Sequence, residues 1–415
     1  MAAKDGINML DVKVRNRRSI LELVYQEKQI PRKDIAACLG LTPAAITLIT
    51  NDLIQEGILV ETAKKESSAR GRREVLLEIN ASKFCVIGIS ITKNHYELTC
   101  TDLSTKTLYH KKFRTIDFHH DAGLILPAIQ STIQTDILSS SVIGKKKLLS
   151  IGICTLGLVN IDRGLSLNSY GVFHGSVDLG AFFREAFHVP VIVTNNIVSC
   201  AHAEAFLQNS SMQNKRLLFI KYGPGIGSAL MTYDDYFNVY AYDAIQLAHM
   251  VSDPNGRPCI CGNHGCLETI VGYENIVSEI SNLVSPDFSP ELYHAWNDTT
   301  PEDNVYENTV TQKMIPVFKA YDHGDNLVST EFNRVLFHMG TAIKNAITLL
   351  NPDSVILYGE AFEHRKFRNA FMQELSAYTK SQKVNFSDYN MQLEGIGPAT
   401  TAISLFFLSG GAIPE

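Results

Sequence analysis

The residues best equipped for chemistry lie between His249 and Glu268. The stretch reads His249-Met-Val-Ser-Asp-Pro-Asn-Gly256-Arg-Pro-Cys259-Ile-Cys261-Gly262-Asn-His264-Gly265-Cys266-Leu-Glu268. Three cysteines crowd one short loop, and Gly262 and Gly265 let the backbone turn tightly around whatever they hold. One imidazole nitrogen with three thiolates is a sufficient set for a closed, tetrahedral structural zinc site. Thiolates favour zinc over magnesium or calcium. The alternative is three buried, unligated cysteines that pack as small hydrophobes. A Cys259–Cys261 disulfide is disfavoured, because the two residues are too close in sequence to bridge easily.

The spacing His-x9-Cys-x-Cys-Gly-x-x-Gly-Cys-x-Glu closely resembles the signature of the ROK family, which contains repressors and sugar kinases. The resemblance implies one structural zinc per chain, held by His249, Cys259, Cys261 and Cys266 beside a monosaccharide pocket. It also makes Glu268 an acceptor for a sugar hydroxyl. The metal would fix the loop, and the loop would fix the carboxylate.

A kinase of this family also needs phosphate loops and a general base, and here the match fails. An Asp-x-Gly-Gly-Thr-type loop is expected after the first strand, but the chain reads Ile89-Ser90-Ile91-Thr92-Lys93-Asn94. Side chains there obstruct the close backbone approach to phosphate that glycines permit. Gly223, Gly225 and Gly227 survive in the second element, although such a triplet equally suits a tight turn. A third element, usually Gly-Gly, is Tyr358-Gly359-Glu360. The family's Asn-Asp turn reads Asn195-Asn196, so an amide stands where the resemblance puts the base. An amide cannot take a proton at neutral pH, but it can still hydrogen-bond a hydroxyl. Asn195 and Asn196 also suit a plain helix cap. Gln246 replaces a Glu that touches sugar in the family. The sugar-site candidates are therefore Asn195, Asn196, Gln246, His249 and Glu268, with no catalytic residue.

These groups need elements to carry them. Residues 84–91, 96–102, 148–154, 190–193, 217–222, 228–231 and 354–358 read as strands, and 197–207 and 340–350 as helices. Such alternation argues an α/β body. The resemblance implies the two-lobed fold shared with hexokinases and actin, with lobe 1 over 81–195 and lobe 2 over 196–415. Lobe 2 would hold the zinc loop at 249–268, and the final helix would pack back on lobe 1. Residues 284–310 are rich in Pro, Asp and Thr and read as an insertion or long loop.

Residues 1–80 read as a winged helix-turn-helix. Helical spacing of Ile20, Leu21, Leu23 and Val24 marks a first helix from Asn16 to Glu27. Pro31 opens a second helix that ends at Gly40. Thr42 caps a third, with Pro43 in its first turn and Ile46, Ile49, Leu53 and Ile54 on the buried face. Two strands, 58–62 and 75–79, flank a charged tip. Three short helices and a hairpin make a DNA-binding shape. Thr42, Ala44, Ala45 and Thr47 would face the major groove, where Ala and Thr methyls can touch thymine methyls. Arg70, Arg72 and Arg73 at the wing would meet phosphates or the minor groove. A helical interaction module with a solvated basic loop is the plainer alternative.

The composition suits this reading. The chain has 415 residues, 45% hydrophobic and 19% charged, enough for two or three ordinary globular cores. No run is apolar and long enough to span a membrane, and the first residues lack the apolar core of a secretory signal. Five of the eight cysteines are scattered singly, which fits a reducing cytoplasm rather than a disulfide framework. Net charge is -6, yet residues 1–80 hold 13 Lys/Arg against 11 Asp/Glu. A mildly basic head on an acidic body permits an anionic partner for the head. The expectation is a cytoplasmic, sugar-responsive repressor of the ROK type, binding operator DNA as a homodimer or dimer of dimers. A sugar kinase with a regulatory head is the rival, and a regulator whose cleft binds another protein is a third possibility.

Overall fold

The computed structural model describes residues 9–65, 74–208, 215–233, 239–297, 309–376, 383–389 and 392–414. Contacts divide the chain into two units. The first comprises 1–213, 235–238 and 394–415, and the second 214–234 and 239–393.

The first unit begins with α1 (Met9–Glu27), β1 (Ile30–Pro31), α2 (Arg32–Leu39), α3 (Pro43–Gln55), β2 (Leu59–Lys65) and β3 (Glu74–Ile79). Helix α1 starts seven residues before the expected Asn16, because Leu10, Val12 and Val14 stay exposed and leave no amphipathic stripe to read. Gly40 closes α2 in the left-handed region, and Thr42 caps α3 by accepting the Ala45 N–H. The two helices bend by 119° about this turn. Ile46, Ile49 and Leu53 of α3 are buried, while Ile54 is only partly so. Strands β2 and β3 pair antiparallel, and β1 adds to β3. Arg70, Arg72 and Arg73 lie outside the described residues.

The chain continues through β4 (Phe84–Ile91), β5 (His95–Asp102), β6 (Thr107–Arg114), α4 (Ala122–Thr132), β7 (Lys147–Thr155), β8 (Leu158–Asn160), β9 (Leu165–Asn168), β10 (Val177–Asp178), α5 (Leu179–Phe187), β11 (Val191–Asn195) and α6 (Asn196–Gln208). The main sheet runs β11-β7-β4-β5-β6. Strands β4, β5 and β6 form an antiparallel meander, and β7 and β11 continue in parallel. Strand β4 is buried throughout, as a strand covered on both faces must be.

The second unit holds β12 (Arg216–Tyr222), β13 (Ile226–Tyr233), β14 (Val239–Ile245), α7 (Glu268–Val271), α8 (Tyr273–Ser281), α9 (Pro290–Asn297), α10 (Thr309–His323), α11 (Asn326–Leu350), β15 (Ser354–Tyr358), α12 (Arg365–Leu375) and β16 (Lys383–Phe386). Its sheet runs β14-β13-β12-β15-β16, again a meander followed by two parallel strands. The last helix, α13 (Leu393–Leu408), closes the chain.

Two expectations need correction. The 284–310 stretch is no featureless loop. Helix α9 occupies 290–297, anchored by buried Leu292 and by Trp296 Nε1 donating to the Lys313 carbonyl. Residues 298–308 lie outside the described set. The lobe boundary falls after residue 213 instead of 195, because α6 packs into the first unit with every residue from Val198 to Phe206 buried.

The head is also not a separate bead. Ile20, Leu21, Val24, Tyr25, Ile46 and Leu53 share one core with Phe84, Val86, Phe206, Ile403, Phe406 and Phe407. Tyr25 lies 4.7 Å from Phe206 and 5.7 Å from Phe407 between ring centroids. Arg17 Nε donates to the Gly410 carbonyl at 2.7 Å. Helix α13 in turn lies on the sheet, with Ser150 Oγ donating to the Ala402 carbonyl at 2.8 Å.

Candidate functional site

The cysteine loop is a knuckle in the second unit. Isolated bridges Val251–Cys266 and Pro258–His264 fold it back on itself. Gly265 sits at φ +63°, and a Cβ there would lie 1.5 Å from the Asp253 carbonyl oxygen, so only glycine fits. His249 Nδ1 lies 3.4 Å from Cys259 Sγ, and Cys261 Sγ 3.5 Å from Cys266 Sγ. All four ligand atoms fall within 4.8 Å of one another. A tetrahedral zinc with bonds of about 2.0–2.3 Å needs ligand–ligand edges of roughly 3.5–3.8 Å. The donor set and its spacing therefore fit a metal ion. Burial pushes the Cys266 thiol up to about 12, and the Asn263 backbone N–H draws Cys261 down. A bound dication would deprotonate the set.

The knuckle delivers Glu268 to the first turn of α7. Its Oε2 accepts the Ile226 N–H at 3.1 Å, and a Cβ on Gly225 would lie 2.8 Å from its Oε1. The glycines of the 223–227 turn thus make room for this carboxylate. Burial pushes Glu268 up to about 7. Gln246 is exposed, and its carbonyl accepts the His249 N–H at 3.0 Å.

Asn195 and Asn196 end β11 and open α6 in the first unit. The Asn195 carboxamide is used internally: Nδ2 donates to the Gly157 carbonyl at 2.6 Å and Oδ1 accepts the Ile197 N–H at 2.8 Å. It behaves as the helix cap its sequence allowed. Asn196 is half-buried, and among the described residues its side chain makes no hydrogen bond. Its carboxamide is free to meet a hydroxyl.

The turn where a first phosphate loop would lie is closed by its own groups. Thr92 N–H and Oγ1 both donate to the His95 carbonyl, and His95 N–H donates to Thr92 Oγ1. Buried Thr115 caps the Lys93 and Asn94 carbonyls. Sequence reasoning foresaw the lost glycines but not this closure, which depends on Thr115 more than twenty residues downstream.

In the head, Thr42, Ala44 and Thr47 are exposed, and Ala45 is half-buried. Leu48 and Asn51, which sequence reasoning passed over, share the exposed face.

A sequence profile described as the ROK family matches residues 86–394. The DNA-binding transcriptional dual regulator NagC of Escherichia coli is 27% identical over 362 residues, 86% of this chain and 82% of that protein. The xylose repressor of Caldicellulosiruptor bescii is 23% identical over 91% of this chain and 90% of its own. The solved structure of a ROK family transcriptional regulator, a homologue of the E. coli MLC protein, superposes with TM-score 0.77. It is 22% identical and covers 96% of this chain and 98% of its own. A glucokinase from Streptomyces griseus, solved with glucose and AMPPNP, has TM-score 0.59 at 18% identity. It covers 77% of this chain and 99% of its own. Among the described residues no single helix is long and apolar enough to cross a membrane. The chain belongs to the ROK family.

Proposed function

We propose that this chain is a sugar-responsive, DNA-binding transcriptional repressor of carbohydrate metabolism, cytoplasmic and without kinase activity. Residues 1–80 are its winged helix-turn-helix, binding operator DNA through Thr42, Ala44, Ala45, Thr47, Arg70, Arg72 and Arg73. Two-fold operators suit a homodimer or a dimer of dimers. The relatives named as repressors and the 119° helix pair support this assignment.

A monosaccharide is the effector. Asn196, Gln246, His249 and Glu268 bind it, and Asn195 positions Asn196. Zinc at His249, Cys259, Cys261 and Cys266 holds the knuckle, supplying folding energy rather than chemistry. With the metal on Nδ1, the His249 proton stays on Nε2, where it can donate to a sugar oxygen.

One observation carries the reading. Helix α6 has Asn196 as its first residue and Phe206 near its last turn, inside the core of the head. Along α6, His202 Nδ1 meets Thr400 Oγ1 at 3.2 Å and Nε2 meets Ser404 Oγ at 3.0 Å, tying it to α13. A sugar bound at Asn196 therefore acts on an element shared with the DNA-binding helices. It can shift them only by binding the two head arrangements with different affinity.

Two features support the absence of phosphorylation: the amide at position 196 and the closed 92–95 turn. Losing a general base alone costs about 10²–10⁴-fold. The deciding experiment selects duplexes from a random pool with full-length protein, then adds monosaccharides one at a time. One sugar should change the affinity at least about fivefold, the lower end of ordinary coupling. ATP and magnesium should give no sugar phosphate. Turnover of a hexose or pentose at about 1 s⁻¹ or faster would overturn the reading in favour of a kinase.

A further inference from the structure

We infer that Leu48 is a specificity-determining residue of the head, and that it reads the C5-methyl group of thymine in the major groove. The inference rests on the DNA-binding reading and sharpens it.

Helix α3 has two sides. Ile46, Ile49 and Leu53 are buried, whereas Ala44, Thr47, Leu48, Asn51 and Gln55 are exposed. Leu48 is 67% exposed, on a helix whose other large apolar side chains are buried or half-buried.

The polar groups around Leu48 are largely committed within the head. Thr42 Oγ1 accepts the Ala45 N–H at 3.2 Å, and Thr47 Oγ1 donates to the Pro43 carbonyl at 2.8 Å. Asn51 Oδ1 accepts from Arg32 Nη2 at 3.1 Å, and Asp52 pairs with Lys13 at 3.4 Å. Helix α3 carries no Lys or Arg. What it offers a base pair is chiefly methyl surface: Ala44, the Thr47 methyl and the Leu48 isobutyl group. In the major groove, thymine alone presents a methyl, so apolar contact there discriminates T·A from the other pairs.

The test replaces thymine by deoxyuridine, which removes the methyl and leaves every hydrogen-bonding group. A duplex is first selected from a random pool with full-length protein. Each thymine is then changed to deoxyuridine in turn, and affinity is measured for the native protein and Leu48→Ala. Leu48 is exposed, so the variant should fold, and circular dichroism checks this. We expect at least one position where deoxyuridine weakens the native protein about fourfold, the worth of one buried methyl. The same change should leave Leu48→Ala unaffected. Equal affinity for both bases at every position would overturn the inference while leaving DNA binding intact. So would a penalty that persists in Leu48→Ala, which would assign the methyl to Ala44 or Thr47. If no duplex is enriched, the DNA-binding reading fails and this inference with it.

Discussion

The two sheets repeat one topology but end their first hairpins in opposite ways. In each, three antiparallel strands are followed by two parallel ones. The turn between β4 and β5 and the turn between β12 and β13 therefore hold equivalent places. The first is filled by Thr92, Lys93 and Asn94 and sealed by Thr115. The second is Gly223-Pro224-Gly225, open enough to admit Glu268 from another segment. A phosphate needs free N–H groups and no competing anion. In the first turn the Thr92 and His95 N–H groups are already bonded within the turn, and in the second the Ile226 N–H is already bonded to Glu268. The same scaffold thus fills its two equivalent turns by different means.

The units are also braced differently, and the largest effects should come from the brace of the second. Its glycine turn holds Glu268, which the cysteine knuckle delivers. Cys266→Ser should take zinc from one per chain to near zero by elemental analysis. Loss of a bound metal is among the few single changes that exceed about 4 kcal/mol. Hydrogen exchange should show residues 246–276 losing protection while β4 and β7 keep theirs. Uniform loss across both units would break the distinction.

The first unit is braced by a buried polar contact. His202 is buried against Thr400 and Ser404, and burial lowers its pKa from 6.5 to about 4. Between those values the unfolded chain binds a proton that the native state refuses, so stability falls as pH drops from 6.5 towards 4. The loss reaches about 3 kcal/mol. His202→Gln should flatten that part of the pH profile of urea unfolding. An unchanged slope would remove His202 from the account.

Much of this was legible in advance, and the failures have physical causes. His249, Cys259, Cys261 and Cys266 could be grouped in advance because a short loop keeps such a cluster local in sequence. Strand β15 was read to its end residues, since an apolar β-branched run followed Asn351-Pro352. The full extent of α1 was missed because its first turns bury nothing. The unit boundary was misplaced because α6 is buried on all sides and has no polar stripe to mark its allegiance. Thr115 and Leu48 were missed for other reasons. Closure of a turn by a distant side chain is a fact of packing that no spacing encodes, whereas Leu48 was passed over for being apolar, although helical spacing puts it on the exposed face with Ala44 and Asn51.

A smaller effect probes the second turn. Gly225→Ala places a Cβ 2.8 Å from Glu268 Oε1, so the carboxylate must move off the turn. The Ile226 N–H then loses its acceptor, at a cost of about 1.5 kcal/mol, since burial leaves Glu268 only partly ionised at neutral pH. Sugar affinity should fall with it, and zinc content should stay at one per chain. Unchanged sugar affinity would separate Glu268 from the ligand.

The smallest effect tests whether the first turn can be reopened. Thr92→Gly removes the hydroxyl that donates to the His95 carbonyl at 2.8 Å and accepts the His95 N–H at 3.2 Å. Both partners lie near the surface and can turn to water, so the loss should be about 1 kcal/mol. The variant should still bind no ATP by calorimetry. The backbone bond from the residue-92 N–H to the His95 carbonyl remains, and Thr115 still caps the Lys93 and Asn94 carbonyls. Lys93 keeps its side chain beside Gly171. Removing one side chain therefore widens the turn without freeing a set of N–H donors. ATP binding by Thr92→Gly would mean that this hydroxyl alone closed the site, and that the two turns differ by one residue instead of by construction.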